Sequence, residues 1–355
     1  MKNKSKLIRN AIIFILLIIL TFYIILKDQN MDDIFQILGT VKLQYVLIGI
    51  ICMCIYVLGE AINIGRTLKA LNEKSSFFNN IKYALIGFFF SGITPAASGG
   101  QPMQIYYMYK DKISVANSTL ALLINLSSMQ VVTISLALIS VTVNHSIMNT
   151  ALIWFFVIGI LLNASALTLL IIAIFHKKLL QKLINFVVKV MKKLKIRNVD
   201  KKQEKIENEL SKYQASSDYI KAHKRVMLKT VMTTYIQFLA FYSVSYWVYR
   251  SFGLHEHNVL RIISIQSVLY GTVSGIPSPG AVGVTEGGFM EIFKTIFPQN
   301  AISSAMILNR GINFYLLIIV SAIVTMVNAI KCQKMEEKNT ENNEEKSWKN
   351  LKNNI

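Results

Sequence analysis

The sequence predicts an all-α integral membrane protein with about six full transmembrane helices and two oppositely oriented re-entrant helical hairpins, arranged as an inverted repeat. The chain has 355 residues, of which 53% are hydrophobic and only 16% are charged, a composition too apolar for a soluble protein of this size. Several apolar runs approach or exceed the roughly 20 residues needed to cross a bilayer. Two further apolar runs are interrupted by proline and glycine, which break helices.

Six uninterrupted apolar segments predict the full spans. They are Ala11–Leu26, Leu43–Ile64, Val115–Val143, Thr150–Phe175, Val226–Tyr249 and Ile312–Ile330. The interrupted regions are Ile81–Tyr109 and Asn258–Ile296, and they bring the total to 8 membrane elements if each hairpin is counted once.

The distribution of Lys and Arg orients these elements. The N-terminus carries Lys2, Lys4 and Lys6, and the loop Lys177–Arg225 holds fifteen Lys and Arg against five Asp and Glu. Because basic residues concentrate in cytoplasmic loops, we expect a multi-pass membrane protein with both termini in the cytoplasm. The formal net charge of +19 then reflects the membrane, and no nucleic-acid partner is predicted.

The same charges require each interrupted region to return to the side from which it enters. Region 81–109 begins and ends inside, and region 258–296 begins and ends outside. Ile81–Ile93 and Met103–Tyr109 are 13 and 7 residues long, and neither would cross alone. The alternative is ten spans, in which each interrupted region crosses twice through short, kinked helices, and charge bias does not separate the two arrangements.

The predicted organisation is one polytopic membrane domain over residues 1–332, with repeat units 43–143 and 226–330. A basic amphipathic cytoplasmic loop covers 177–225, with an interfacial helix at 180–195 and a polar helix at 200–213. The charged, Asn-rich segment 333–355 is predicted to be a disordered tail.

Helix-breaking residues concentrate in the two interrupted regions. All five prolines lie in or beside them, as do ten of the seventeen glycines. Irregular backbone at membrane depth is tolerated only where it is buried in protein or lines a water-filled cavity. We therefore expect the two breaks to pack against each other and to form a polar site.

Three charged residues at membrane depth are candidates for that site. Glu286 carries a charge that costs about 2.5–3.5 kcal/mol in the bilayer, so function is the first hypothesis and helix capping is the alternative. Arg310 is its natural partner, either as a structural ion pair or as half of a headgroup site. Glu60 is a third candidate within the second span.

Polar groups extend the predicted site. Asn125 lies on one face of its span with Ser118 and would serve either the site or contacts between helices. Gln101 and Pro102 open a half-helix, where the amides of residues 98–101 would favour an anion such as phosphate, or would form a plain tight turn.

Other kinds of site are not indicated. The sequence contains no GxxxxGK[ST], HExxH or GxSxG motif, and its three cysteines form no disulfide framework or metal quartet. We predict no cofactor, no metal and no catalytic residue.

Two segments, TPAASGGQPMQIYYM and PSPGAVGVTEGGF, resemble the paired signatures of the lysylphosphatidylglycerol synthase transmembrane region family. The resemblance covers roughly residues 8–332. It implies a substrate-binding site at the matching motif positions, namely Pro95, Gly99, Gly100, Gln101, Pro102, Pro279, Gly280, Gly283, Glu286, Gly287 and Gly288, beside Glu60, Asn125 and Arg310.

The resemblance also implies a function. In the full-length synthases, known as multiple peptide resistance factors, a membrane part of this kind moves lipid between leaflets, and a soluble C-terminal domain transfers lysine from lysyl-tRNA to phosphatidylglycerol. Because 23 residues follow Cys332, we expect that acyltransferase domain to be absent. The expected function is translocation of a phospholipid, an aminoacyl-phospholipid or a glycolipid, with membrane lipids as partners.

Two alternatives remain at this point. One is a phosphatidylglycerol lysyltransferase, acting alone or as the membrane half of a split enzyme with a separately encoded soluble acyltransferase. In that alternative lysyl-tRNA would be a nucleic-acid partner. The other is a small-solute or ion transporter with the same inverted repeat, which a cavity closed laterally to lipid would favour.

Overall fold

The computed structural model describes residues 31–94, 97–143, 150–176, 181–182, 199–276 and 278–332, and these residues contain no β-strand. The main helices are α1 (Met31–Gly39), α2 (Leu43–Ala70), α3 (Phe77–Gly92), α4 (Gly100–Lys110), α5 (Val115–Val143), α6 (Thr150–Phe175), α7 (Val199–Ala222), α8 (Lys224–Ser251), α9 (Val259–Val273), α10 (Val284–Ile292) and α11 (Ile302–Cys332). The protein is an all-α membrane protein, as predicted.

Among the described residues, four helices are long and apolar enough to cross a membrane. They are α2, α5, α6 and α11, which range from 26 to 31 residues. The bounds of α5 and α6 coincide with the predicted spans 115–143 and 150–175. The predicted span 226–249 lies inside α8, a helix of 28 residues.

Both interrupted regions fold as broken helical hairpins. Helix α3 packs against α4, and α9 packs against α10. These helices have 16, 11, 15 and 9 residues, so none reaches the roughly 20 residues of a full span. Side-chain caps define two of their starts: Ser76 Oγ accepts from the Asn79 amide at 3.2 Å, and Asn258 Oδ1 accepts from the Arg261 amide at 2.8 Å. Short helices are common to the re-entrant hairpins and to the kinked crossings of the ten-span alternative, so these lengths fit both arrangements.

Helices α2 and α8 form the most extensive helix–helix contact in the described chain. A Cβ at Gly59 of α2 would lie 2.9 Å from Gln237 Cβ of α8, so glycine allows the two backbones to approach closely. The largest buried cluster joins this pair to α9, α10 and α11 through residues such as Val244, Ile265 and Phe289. The second hairpin is therefore held by the same core that joins α2 to α8.

The last helix corrects one predicted boundary. The span predicted to begin at Ile312 belongs to a helix that begins ten residues earlier, at Ile302. A π-helical turn, Gly311–Tyr315, lies within it, and such turns locally widen a helix. The polar residues before Ile312 hid this start because Arg310 and Asn309 lower the apparent hydropathy, yet both are buried.

Helix α7 confirms and extends the polar helix predicted at 200–213. Helix α1 was not predicted. Several predictions lie outside the described residues: the span 11–26, most of the interfacial helix 180–195, the tail 333–355 and the motif residue Pro95.

Candidate functional site

The two backbone breaks meet at a single cavity. The first break, between α3 and α4, contributes Gly92 and Ala97, and the second, between α9 and α10, contributes Ser274 and Gly280. The cavity has a volume of about 420 Å³, and Arg310 of α11 is the one charged residue among its described lining residues. We call it the Arg310 lobe. The structure thus agrees with the expected convergence of the two irregular segments.

A second space of about 290 Å³ adjoins the first. It is lined by Glu60, Gln101, Gln104 and Asn125, and Glu60 is the one charged residue among its described lining residues. We call it the Glu60 lobe. The two lobes share lining residues, including Tyr56, Phe88, Ser91, Ala97, Gln130, Asn163, Tyr270 and Ser274. Together they form a cavity whose wall is mostly apolar but carries several polar groups, with a cation on one side and a carboxyl group on the other.

Arg310 is held by the elements around it and keeps donors for a ligand. Its Nε donates to Glu286 Oε1 at 2.7 Å, its Nη2 donates to the Gly280 carbonyl at 3.1 Å, and its guanidinium lies 4.3 Å from the centre of the Phe314 ring. The Tyr315 side chain also interacts with the Arg310 guanidinium. A guanidinium offers five N–H donors, so the donors not engaged here can bind an anion in the lobe.

Glu286 lies outside the cavity, although direct contact with a ligand was the first hypothesis for it. Its side chain is fully buried and lines neither lobe. Its Oε2 accepts from the Gly283 amide at 2.7 Å, and its Oε1 accepts from Arg310 and, at 3.3 Å, from the Tyr315 hydroxyl. Three donors therefore satisfy this carboxylate, which caps α10 and holds Arg310 in place. The structure favours the capping alternative over direct contact with a ligand.

Glu60 faces the cavity with few partners. Gln104 Nε2 donates to Glu60 Oε1 at 3.2 Å and also to the Tyr83 carbonyl at 3.1 Å. Within the described chain this is the sole hydrogen bond of the Glu60 carboxyl group, and no Lys, Arg or His forms an ion pair with it. The least compensated charge of the cavity is therefore on α2.

Several buried polar atoms on the cavity wall have no protein partner in the described residues. They are Asn125 Oδ1, Gln130 Oε1, Ser278 Oγ and Asn313 Oδ1. Asn125 is 3% exposed and Asn313 is 5% exposed. A buried polar group without a hydrogen bond costs about 1–3 kcal/mol.

Of the predicted site residues, five line the cavity: Glu60, Gln101, Asn125, Gly280 and Arg310. The remaining described ones, which are Gly99, Gly100, Pro102, Pro279, Gly283, Glu286, Gly287 and Gly288, do not. The backbone amides of residues 98–101 were predicted to favour an anion. One of them is already engaged within the protein, because the Gly99 amide donates to Thr94 Oγ1 at 2.9 Å.

The glycines outside the cavity act through backbone packing. A Cβ at Gly100 would lie 2.1 Å from Ser91 Oγ and 2.9 Å from the Gly87 carbonyl oxygen, so glycine closes the first hairpin. A Cβ at Gly288 would lie 2.6 Å from Leu269 Cδ1, which closes the second hairpin. Gly287 is exposed, and a Cβ there would meet no described atom within 4 Å.

Sequence reasoning missed several cavity residues. Gln104, Gln130, Asn163 and Thr285 all line the lobes. Their common signal is a polar side chain inside an apolar helix. The site was predicted mainly from glycine and proline positions, which do not reveal this signal. Asn163 is 2% exposed and donates to the Gly271 carbonyl at 3.2 Å, linking α6 to α9 at the cavity wall.

Comparison with known proteins places this arrangement in a family. A family model described as "Lysylphosphatidylglycerol synthase TM region" matches residues 8–321. A curated relative, the "UPF0104 membrane protein PH1989" of Pyrococcus horikoshii, is 21% identical over 315 residues, which cover 86% of this chain and 93% of the relative. The matched region includes both hairpins, the cavity and Arg310. The chain therefore belongs to the lysylphosphatidylglycerol synthase transmembrane region family.

Proposed function

We propose that this protein translocates an anionic phospholipid, its aminoacylated form or a glycolipid between the two leaflets of the cell membrane. The observation that carries the proposal is the cavity between two broken hairpins, whose mostly apolar wall carries Arg310 in one lobe and Glu60 in the other. A phosphate headgroup crossing the bilayer needs polar partners at every depth, since hydrocarbon provides none. Arginine is well suited to bind phosphate through several N–H donors.

The position of α6 supports a lipid rather than a free solute as the cargo. In the most apolar 18-residue stretch of this helix, 17% of the stretch is buried inside the protein, so most of the helix faces outward. Leu162 of α6 lines the Arg310 lobe and is 40% exposed. The cavity therefore borders the membrane-facing surface of the bundle. A lipid would insert its headgroup into the cavity while its acyl chains stay in the bilayer.

The unpartnered polar atoms of the wall give the headgroup further contacts. Asn313 Oδ1 and Ser278 Oγ lie in the Arg310 lobe, and Asn125 Oδ1 lies in the Glu60 lobe. These groups would exchange contacts as the headgroup passes from one lobe to the other. Movement needs no covalent step, and none is proposed.

A leaflet assay tests the proposal. Purified protein is reconstituted into liposomes that carry fluorescent phosphatidylglycerol, lysylphosphatidylglycerol or a glycolipid in separate preparations. An impermeant external quencher reports the fraction of probe in the outer leaflet over time. Wild type is compared with Asn313→Leu, which removes an unpartnered buried amide from the cavity, and with Asn328→Leu on the same helix, whose amide donates to the Val324 carbonyl at 2.8 Å outside the cavity.

We expect headgroup-dependent exchange in wild type, at least a tenfold slower exchange in Asn313→Leu and a near wild-type rate in Asn328→Leu. A tenfold change corresponds to about 1.4 kcal/mol, within the range of one buried hydrogen bond to a charged group. Exchange of no probe by a folded wild-type preparation would contradict the proposal. Equal slowing by both substitutions would show that exchange does not depend on the cavity.

A further inference from the structure

Glu60 is a buried carboxyl group that phosphate recognition leaves unexplained. It lines its lobe with one hydrogen bond, from Gln104 at 3.2 Å, and no cation within the described residues pairs with it. A carboxylate at membrane depth costs about 2.5–3.5 kcal/mol even on insertion scales. This cost is removed when the group binds a cation or a proton.

The surroundings favour a proton over a metal ion. Among the described residues, no group of three or more His, Cys, Asp or Glu side chains could hold a metal, and Glu60 is the sole acid of either lobe. Its neighbour Gln104 presents a donor, Nε2, which a metal ion would repel. A carboxyl group in contact with one amide and an aqueous cavity can bind or release a proton without further ligands.

The groups that face Glu60 leave its protonation sensitive to the contents of the cavity. Tyr56 of its own helix and Tyr270 of α9 line the same lobe, and the lining residues from α3, α4, α5, α6 and α8 are uncharged. Arg310 belongs to the adjoining lobe, where its Nε is already paired with Glu286. An anionic headgroup that enters beside Glu60 makes the charged carboxylate less favourable, since like charges repel. Entry of the anion and uptake of a proton at Glu60 therefore favour each other.

We propose that Glu60 is the proton-binding site that couples movement of an anionic phospholipid to a proton gradient. This inference rests on the proposed translocation. The lipid phosphate carries one negative charge and Glu60 takes up one proton, so the loaded cavity has the same net charge as the empty one. The proton is released to water on the other side of the membrane together with the lipid, and no covalent bond changes.

The test is leaflet asymmetry under an imposed pH difference, with fluorescent phosphatidylglycerol as the probe. Proteoliposomes hold a pH difference of about one unit, and a trapped pH dye reports proton entry in the same sample. With one proton moved per lipid, wild type should reach a leaflet ratio of about tenfold. Glu60→Gln should give a ratio near one and no lipid-dependent proton entry. Glu60→Asp keeps the carboxyl group and should retain part of the asymmetry.

Glu291→Gln is the matched control, because the Glu291 side chain is 46% exposed, pairs with Lys294 and lines neither lobe. It should behave as wild type. Rapid exchange with a ratio near one in wild type would overturn the coupling and leave translocation intact. The tenfold ratio in Glu60→Gln would also overturn it. No exchange under any gradient would overturn translocation, and the coupling with it.

Discussion

At the scale of single residues, the ion pair between Glu286 and Arg310 is the main constraint on the site. Their side chains are 0% and 7% exposed, and the Arg310 Nε to Glu286 Oε1 distance is 2.7 Å. Removing one partner of a buried pair leaves an uncompensated charge and typically costs about 3–5 kcal/mol, whereas removing both costs much less. The pair therefore fixes the position of the Arg310 donors more than it adds net stability.

A double-mutant cycle tests this role. We expect Arg310→Met and Glu286→Gln each to lower the thermal unfolding temperature in detergent, and the double variant to be more stable than the sum of the single losses. Exchange activity should be lost in all three, since no variant keeps Arg310 in its native position. Strictly additive losses of stability would show that the two side chains do not act as a pair.

Gly280 and Gly287 both match the family signature, but only at Gly280 does the backbone require glycine. Gly280 has a φ of 59°, and a Cβ there would lie 2.3 Å from Phe314 Cζ, so Gly280→Ala strains the backbone and displaces the ring beneath Arg310. Gly287→Ala meets no described atom within 4 Å. We expect Gly280→Ala to lower the unfolding temperature and the exchange rate, and Gly287→Ala to change neither. Equal behaviour of the two variants in the same unfolding and leaflet assays would contradict this assignment.

At the scale of elements, α7 links the ends of two membrane helices. Glu209 Oε2 accepts from the Ala116 amide at the start of α5 at 3.1 Å. At the end of α6, Tyr213 donates to the Ala173 carbonyl at 2.9 Å, and Ser217 Oγ donates to the Ile174 carbonyl at 2.5 Å. One acid thus caps a helix start and two hydroxyls cap a helix end, as the helix dipole favours. This contact fixes α5 relative to α6, and both helices line the cavity.

Ser217→Ala tests this link, with Ser211→Ala on the same helix as its control. Ser217 is 1% exposed, whereas Ser211 is exposed and bonds only within α7. Loss of the Ser217 bond leaves a carbonyl at the end of α6 unpaired and should cost about 1–3 kcal/mol, whereas Ser211→Ala should be near neutral. The readout is the rate of protease cleavage within α7. Unchanged cleavage in Ser217→Ala would contradict the link.

The Tyr213 contact predicts a pH dependence of the same element. Burial raises the pKa of Tyr213 from its usual 10.0 to about 12, so its hydroxyl remains a donor through neutral and moderately alkaline pH. Because the folded-state pKa lies above the unfolded value, the contribution to stability is complete below about pH 10 and is lost as the pH rises toward about 12. Tyr213→Phe should remove this alkaline loss in a thermal unfolding series, and an identical loss in wild type and variant would contradict it.

At the scale of the whole molecule, each of the two predicted repeat units supplies one charge to the cavity. Glu60 comes from the unit that begins with α2, and Arg310 comes from the unit that begins with α8. The two opening helices pack against each other, and each unit contributes one broken hairpin. Helix α6 lies outside both units and completes the wall, with Gly159 placed so that a Cβ would lie 2.3 Å from the Thr272 carbonyl oxygen.

Much of this architecture could be predicted from the sequence because it depends on local signals. The lengths of the apolar runs predicted the bounds of α5 and α6, and the positions of proline and glycine predicted both breaks. The roles of individual acids could not be predicted in this way. Glu286 and Glu60 are both acids at membrane depth, and only their neighbours distinguish a carboxylate with three donors from one with a single donor.

The central claim is that a lipid headgroup enters the cavity between the two breaks. The most direct measurement is photolabelling with a phosphatidylglycerol that carries a photoreactive group on its headgroup, followed by mass spectrometry of the labelled residues. We predict labels on lining residues of the Arg310 lobe, such as Ser274 and Asn313, and their loss in Asn313→Leu. Labels confined to helix ends and membrane-facing positions, such as Phe78 and Trp154, would contradict the account.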